Sequence, residues 1–119
     1  MEILSPASNM NHIKVAIDGK ANAVYGGLKK WNARNKAINF STEEYNVLIK
    51  ELHKNNIKFF LTLNILMLDD EIKEVIDFLK NNTLPDAFIV TDMGLIQELH
   101  KEFPNVPLHF STQFGAHNI

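Results

Sequence analysis

The clearest feature of the chain is where its apolar residues fall. Ile57-Lys58-Phe59-Phe60-Leu61-Thr62-Leu63-Asn64 is short, nearly continuous in apolar residues and stopped abruptly by polar ones. A half-exposed antiparallel strand would alternate, whereas such a run fits a parallel strand covered on both faces. Helical stripes flank it. Before it, Tyr45, Leu48, Ile49 and Leu52 are spaced i, i+3, i+4, i+7, behind Ser41-Thr42-Glu43-Glu44, which reads as a capping box. After it, Ile72, Val75, Ile76 and Leu79 form a second stripe, opened by Asp69 or Asp70. The run is therefore the middle strand of a βαβ series. It delivers Thr62 and Asn64 to its carboxyl end, where α/β folds usually bind their ligands.

The same rhythm extends in both directions. Ile3-Leu4 predicts a short first strand stopped by Ser5-Pro6. Asn9 caps a helix with Met10, Ile13, Ala16 and Ile17 inward, and Gly19 ends it. Ala21 to Tyr25 is the second strand, closed by Gly26-Gly27 and followed by a long polar loop from Leu28 to Phe40. Ala87 to Asp92 is the fourth strand. Met93-Gly94 leads into a helix facing inward with Leu95, Ile96, Leu99 and Phe103, which Pro104-Asn105 breaks. Val106 to Gln113 is the fifth strand and its exit. The pattern predicts five strands and four complete helices in strict alternation, with no linker, hence a single domain over residues 1–119.

Regular βα alternation is compatible with a doubly wound sheet or a (β/α)8 barrel. A barrel takes about 250 residues, and this chain supplies roughly half of that. It stops where a fifth helix is expected. The expectation is thus the first half of a TIM-type barrel, the N-terminal fragment of a longer enzyme and inactive by itself. The alternative is a small flavodoxin-like module with a binding or scaffold role and no catalysis. A half barrel exposes sheet edges, and unpaired edges recruit partners, so the fragment is expected to self-associate.

Composition narrows the chemistry. The 119 residues carry a net charge of −2 with a pI near 6.2, which offers no broad electrostatic capture of nucleic acid. With no cysteine there is no disulfide framework, no thiolate nucleophile and no cysteine-held cluster within these residues. No metal site is expected. No apolar run approaches the roughly 20 residues of a membrane helix, and Met1-Glu2-Ile3-Leu4-Ser5-Pro6 lacks the build of a signal peptide. The expected location is the cytoplasm, away from membranes.

Several short motifs then stand in order along the chain: Glu2-Ile3-Leu4-Ser5-Pro6-Ala7-Ser8-Asn9, Asn22-Ala23-Val24-Tyr25-Gly26-Gly27, Trp31-Asn32-Ala33-Arg34 with Asn39-Phe40-Ser41, Leu61-Thr62-Leu63-Asn64, Val90-Thr91-Asp92-Met93-Gly94, and Leu108-His109-Phe110-Ser111-Thr112-Gln113 with His117-Asn118. Each is weak alone. Together, in register, they resemble peptidase family U32, the collagenase-like proteases. The departures are Ser8, where the family usually has glycine, Lys20 and Asn22 for a common glycine and aspartate, and a one-residue shift of the Gly26-Gly27 pair. The resemblance implies a barrel continuing past Ile119. It also implies an activity: members were named as peptidases, while several are tied to hydroxylation of transfer RNA, ribosomal RNA or a quinone precursor. For those members it implies an iron–sulfur cluster and prephenate as oxygen source. The cluster cysteines lie later in the family's chain, so no cluster ligand is carried over to this segment.

The candidate residues gather at the expected carboxyl ends of strands. Arg34 is the only arginine, and its planar fork suits a carboxylate or phosphate. Asn32 belongs to the same motif. Thr62, Asn64, Ser111 and Gln113 could orient a polar small-molecule ligand. Asn64 equally suits a turn, and Ser111, Thr112 and Gln113 equally suit the cap of a following helix. Asp92 is a candidate general base or the cap of the helix after it. His117 is the histidine placed for acid–base work; His12, His53 and His100 fall on helix surfaces, and His109 reads as packed. Lys29, Lys30, Trp31 and Arg34 form a basic-aromatic cluster suited to RNA or to an ordinary solvated loop. A hydrolytic reading lacks a cysteine, a G-x-S-x-G elbow or an H-E-x-x-H pair.

Overall fold

In the computed structural model, residues 4–7, 9–27, 40–63, 69–112 and 115–118 are described. Ten elements follow in order: β1 (Leu4–Pro6), α1 (Met10–Asp18), β2 (Ala23–Gly26), α2 (Thr42–Lys54), β3 (Lys58–Leu63), α3 (Asp69–Lys80), β4 (Ala87–Val90), α4 (Met93–Glu102), β5 (Leu108–Thr112) and β6 (Gly115–Asn118). They form one sheet in the order β1-β2-β3-β4-β5-β6. The first five strands are parallel. A doubly wound flavodoxin-like sheet reverses its strand order at a switch point, and this sheet has no such reversal. Five parallel strands in sequence with four intervening helices are consistent with half of a TIM-like barrel.

Local sequence accounts for the helices. Asn9 caps α1 by accepting the His12 amide at 2.9 Å. The capping box of α2 is complete: Ser41 Oγ accepts the Glu44 N–H at 3.2 Å, and Glu44 Oε1 accepts the Ser41 N–H at 3.0 Å. The stripe residues Tyr45, Leu48, Ile49 and Leu52 are fully buried, and Ile72, Val75, Ile76 and Leu79 are buried on α3. They pack with Val24, Phe59, Leu61, Leu63, Phe88 and Val90 into one cluster that also holds Leu95 and Leu99 of α4. The core thus lies between the helices and a single face of the sheet. Gly19 ends α1 as expected, but with an ordinary φ of −82°. The left-handed turn that follows is made by Lys20 (φ 56°), and Asn56 (φ 61°) makes its counterpart after α2.

Three expectations change. First, β3 is not covered equally on both faces. Phe59, Leu61 and Leu63 are buried against helices, while Phe60 and Thr62 are half-buried and Lys58 is exposed. The continuous apolar look arose because Phe60 belongs to the opposite, inner face. Second, β1 runs through Pro6. The Ala7 amide donates to Tyr25 O at 2.9 Å, so by alternation the Pro6 nitrogen faces the outer side of this edge strand, where no ladder donor is required. Third, the segment after β5 forms strand β6, antiparallel to β5, with Thr112 opposite Gly115 and His109 opposite Asn118. A free strand edge is a row of unpaired donors and acceptors, and the following segment satisfies it.

Candidate functional site

The two ends of the sheet differ. At the amino ends of β3 and β4 a polar network locks the elements together. Asp86 Oδ2 accepts the Phe59 N–H at 2.7 Å and meets His53 Nε2 at 2.7 Å. The Tyr45 hydroxyl donates to Thr83 O at 2.6 Å, and Asn46 bonds Asn82 and the Thr83 amide. Burial, and then the negative charge of Asp86, push the Tyr45 hydroxyl well above its ordinary pKa. This end is built for stability.

The carboxyl ends are built for proximity. A Cβ on Gly26 would lie 2.5 Å from Ala7 O and 3.1 Å from a ring carbon of Phe40. Glycine here lets the exits of β1 and β2 press together. The Phe40 amide donates to Gly27 O at 3.2 Å, so the polar loop leaves and returns at the end of β2. Beside them, Asp92 is buried, and its Oδ1 accepts the Leu95 N–H at 2.9 Å as the cap of α4. A carboxylate is stabilised there by the helix dipole. Gly94 leaves room for it: a Cβ at Gly94 would sit 3.2 Å from Asp92 Oδ1.

The inner face has its own order. Register aligns Tyr25, Phe60 and Ala87 in one row, and Thr62, Ile89 and His109 in the next, which lies toward the carboxyl ends of β3 and β4 but near the start of β5. Tyr25, Phe60, Thr62 and His109 are half-buried. The rings of Phe60 and His109 lie 5.7 Å apart at 33°. This face thus carries the rings of Tyr25, Phe60 and His109 together with the Thr62 hydroxyl.

Of the sequence candidates, Thr62 stands in that second row and Asp92 caps α4. The backbone of Ser111 is in β5 opposite Ala116, and that of His117 in β6 opposite Phe110, in the row that contains Val90. Asn32, Arg34, Asn64 and Gln113 lie outside the described residues, as do Lys29, Lys30 and Trp31. His53, expected on a helix surface, is exposed there and paired with Asp86. His109 is packed as expected, but on the face that the candidates share. The Leu108–Gln113 motif contains it, and the alternation of β5 decides its face.

An iron–sulfur cluster needs thiolates, and these 119 residues contain none. Among the described residues, no group of three His, Asp or Glu side chains could hold a metal ion. No residue of this chain is assigned to a cluster. Among the same residues, no helix is long and apolar enough to cross a membrane.

Residues 8–119 match peptidase family U32. The chain belongs to peptidase family U32. It is 43% identical to an uncharacterized protease of Methanocaldococcus jannaschii, over 99% of this chain and 29% of that protein. It is 34% identical to tRNA hydroxylation protein P of Escherichia coli, over 98% of this chain and 26% of that protein. It is also 36% identical to a 23S rRNA 5-hydroxycytidine synthase of Escherichia coli, over 100% of this chain and 18% of that protein. The chain therefore spans less than a third of these U32 relatives. Among solved structures it is similar to CpGH84B, with a TM-score of 0.58 over 92% of this chain and 27% of the other, at 15% identity. That likeness concerns the fold alone.

Proposed function

We propose that this U32 segment is the N-terminal half of a (β/α)8 barrel in a longer cytoplasmic enzyme that hydroxylates a base in RNA. The observation that carries this reading is the end-to-end match to tRNA hydroxylation protein P, joined by the match to a ribosomal RNA 5-hydroxycytidine synthase. The sheet supports it in two ways. Among the described residues, its sequential parallel strands carry helices on a single face, as the wall of a barrel does, and the candidates Thr62 and Asp92 stand at the carboxyl ends of β3 and β4. The 119 residues by themselves would be inactive, because barrel active sites draw on loops from all around the rim. Isolated, they would self-associate through the sheet's edges.

In this reading the chain's own residues bind and orient. Thr62 stands on an inner row of β3. Arg34, on the loop anchored at Gly27 and Phe40, holds an anion, either an RNA phosphate or a small carboxylate substrate. The cluster implied by the family would supply the oxygen-transfer chemistry from residues beyond this segment.

The test is made in cells of the source organism. Deleting the gene and digesting transfer and ribosomal RNA to nucleosides should remove one nucleoside heavier than its parent by one oxygen atom. The full-length gene should restore it. An unchanged nucleoside profile would overturn the reading. The peptidase reading rests on the family's name and on the M. jannaschii relative; cleavage of a peptide library by the purified full-length protein would favour it.

A further inference from the structure

The first helix stands beside the outermost described parallel strand. Among the described residues no strand lies outside β1, and α1 has α2 on one flank. Its other flank borders an open groove of about 380 Å³ against β1, lined by Ser5, Pro6, His12, Val15, Gly19 and Ala21. His12, Val15 and Gly19 are spaced i, i+3, i+7, so they follow one line along the helix. Val15 is 68% exposed, the most of any large apolar side chain among the described residues. A single exposed valine means little. This one stands on the wall of a groove that runs along the end of the sheet. By the alternation seen at Ala7, the Leu4 amide and the Pro6 carbonyl point outward from β1, where a further strand would pair.

The occupant follows from how much more protein the relatives contain. The chain covers 29% of the M. jannaschii relative, 26% of tRNA hydroxylation protein P and 27% of the solved structure whose fold it shares. Most of each lies outside the matched part. In a closed barrel the last strand pairs with the first, and the helix after it lies beside the first helix. A segment of the same chain is tethered, so it meets the groove at a higher effective concentration than a second copy does.

We propose that the groove between α1 and β1 seats the last helix of the longer chain, with Val15 as its apolar anchor and the strand before that helix paired to β1. This rests on the half-barrel reading. It goes beyond it by assigning the contact surface, which neither the family match nor the relatives' names do.

The test uses the full-length protein carrying Val15→Cys, labelled with iodoacetamide, with the peptide that contains position 15 followed by mass spectrometry. Labelling of the native protein should be about a hundredfold slower than in urea, because the site opens only by local unfolding, and equally slow at every protein concentration. Labelling as fast as in urea would overturn the proposal. So would protection seen only at concentrations where light scattering shows a dimer, since the occupant would then be a second copy. If the variant does not fold, hydroxyl-radical footprinting of wild-type Val15 reads the same protection. Hydrogen exchange at the Leu4 amide separates this inference from the reading beneath it. Slow exchange there with an accessible position 15 would mean that the barrel closes without a helix in this groove, and the proposal alone would fall. Fast exchange would mean that no strand joins β1, and the half-barrel reading would fall with it.

Discussion

The rings of Phe60 and His109 lie 5.7 Å apart, tilted by 33°, although their strands are not neighbours. The strand between them sets Ala87 opposite Phe60 and Ile89 opposite His109, so the contact runs diagonally across β4, and Ala87 beside it is 1% exposed. Ala87→Leu should therefore wedge the pair apart. We expect a loss of about 1–3 kcal/mol, as for overpacking of a filled site, read as a lower urea midpoint. An unchanged midpoint would show that the space above Ala87 is open.

Asp92 separates structure from chemistry through two substitutions. Asparagine caps helices about as well as aspartate, whereas alanine does not. Asp92→Asn should melt close to wild type, and Asp92→Ala should lose about 1 kcal/mol. A stable Asp92→Asn enzyme without activity, assayed at full length, would assign the carboxylate to the reaction.

Asp86 should matter more than the histidine it meets. Asp86→Ala strands the Phe59 amide, for a cost of about 1–3 kcal/mol. His53→Ala removes only a partner whose side chain is 43% exposed, worth less than about 1 kcal/mol. Equal losses in denaturant titrations would contradict this ordering.

Tyr45 predicts an alkaline limit. Its folded pKa lies above its unfolded value of 10.0. The folded state therefore keeps a proton that the unfolded state releases, and stability falls as pH rises past 10. Tyr45→Phe should be less stable near neutrality, through loss of the bond to Thr83, yet show a flatter decline at high pH. Base titration followed by circular dichroism would check both.

Gly26→Ala should be costly, because the new methyl carbon would lie 2.5 Å from backbone at Ala7. About 1–3 kcal/mol is expected. Gly94→Ala, which meets an Asp92 oxygen at 3.2 Å, should lose less. The two unfolding curves, measured side by side, test the difference.

Much of this architecture was legible locally. Ser41 and Glu44 spell their capping box within four residues, and the stripes of α2 and α3 follow from helical spacing alone. What could not be read was nonlocal. Phe60 looks like core beside Phe59 and Leu61, and only strand register assigns it to the other face. Gly26 looks like a turn residue, but its size is dictated by Ala7, far back in the chain. Gly115-Ala116-His117-Asn118 carries no strand pattern of its own; the free edge of β5 gives it one. His109 shares its row with Thr62 only once β4 has been laid between them.

The antiparallel β6 has a consequence for how this sheet can take on further strands. Each strand has one place on either side, and β6 holds the outer place of β5. A parallel newcomer must evict it first, so completion at that margin is a competition between pairings. At the opposite margin no described strand lies outside β1, but Pro6 withholds one rung from whatever arrives. The two margins thus admit partners on different terms, one by exchange and the other by an incomplete ladder.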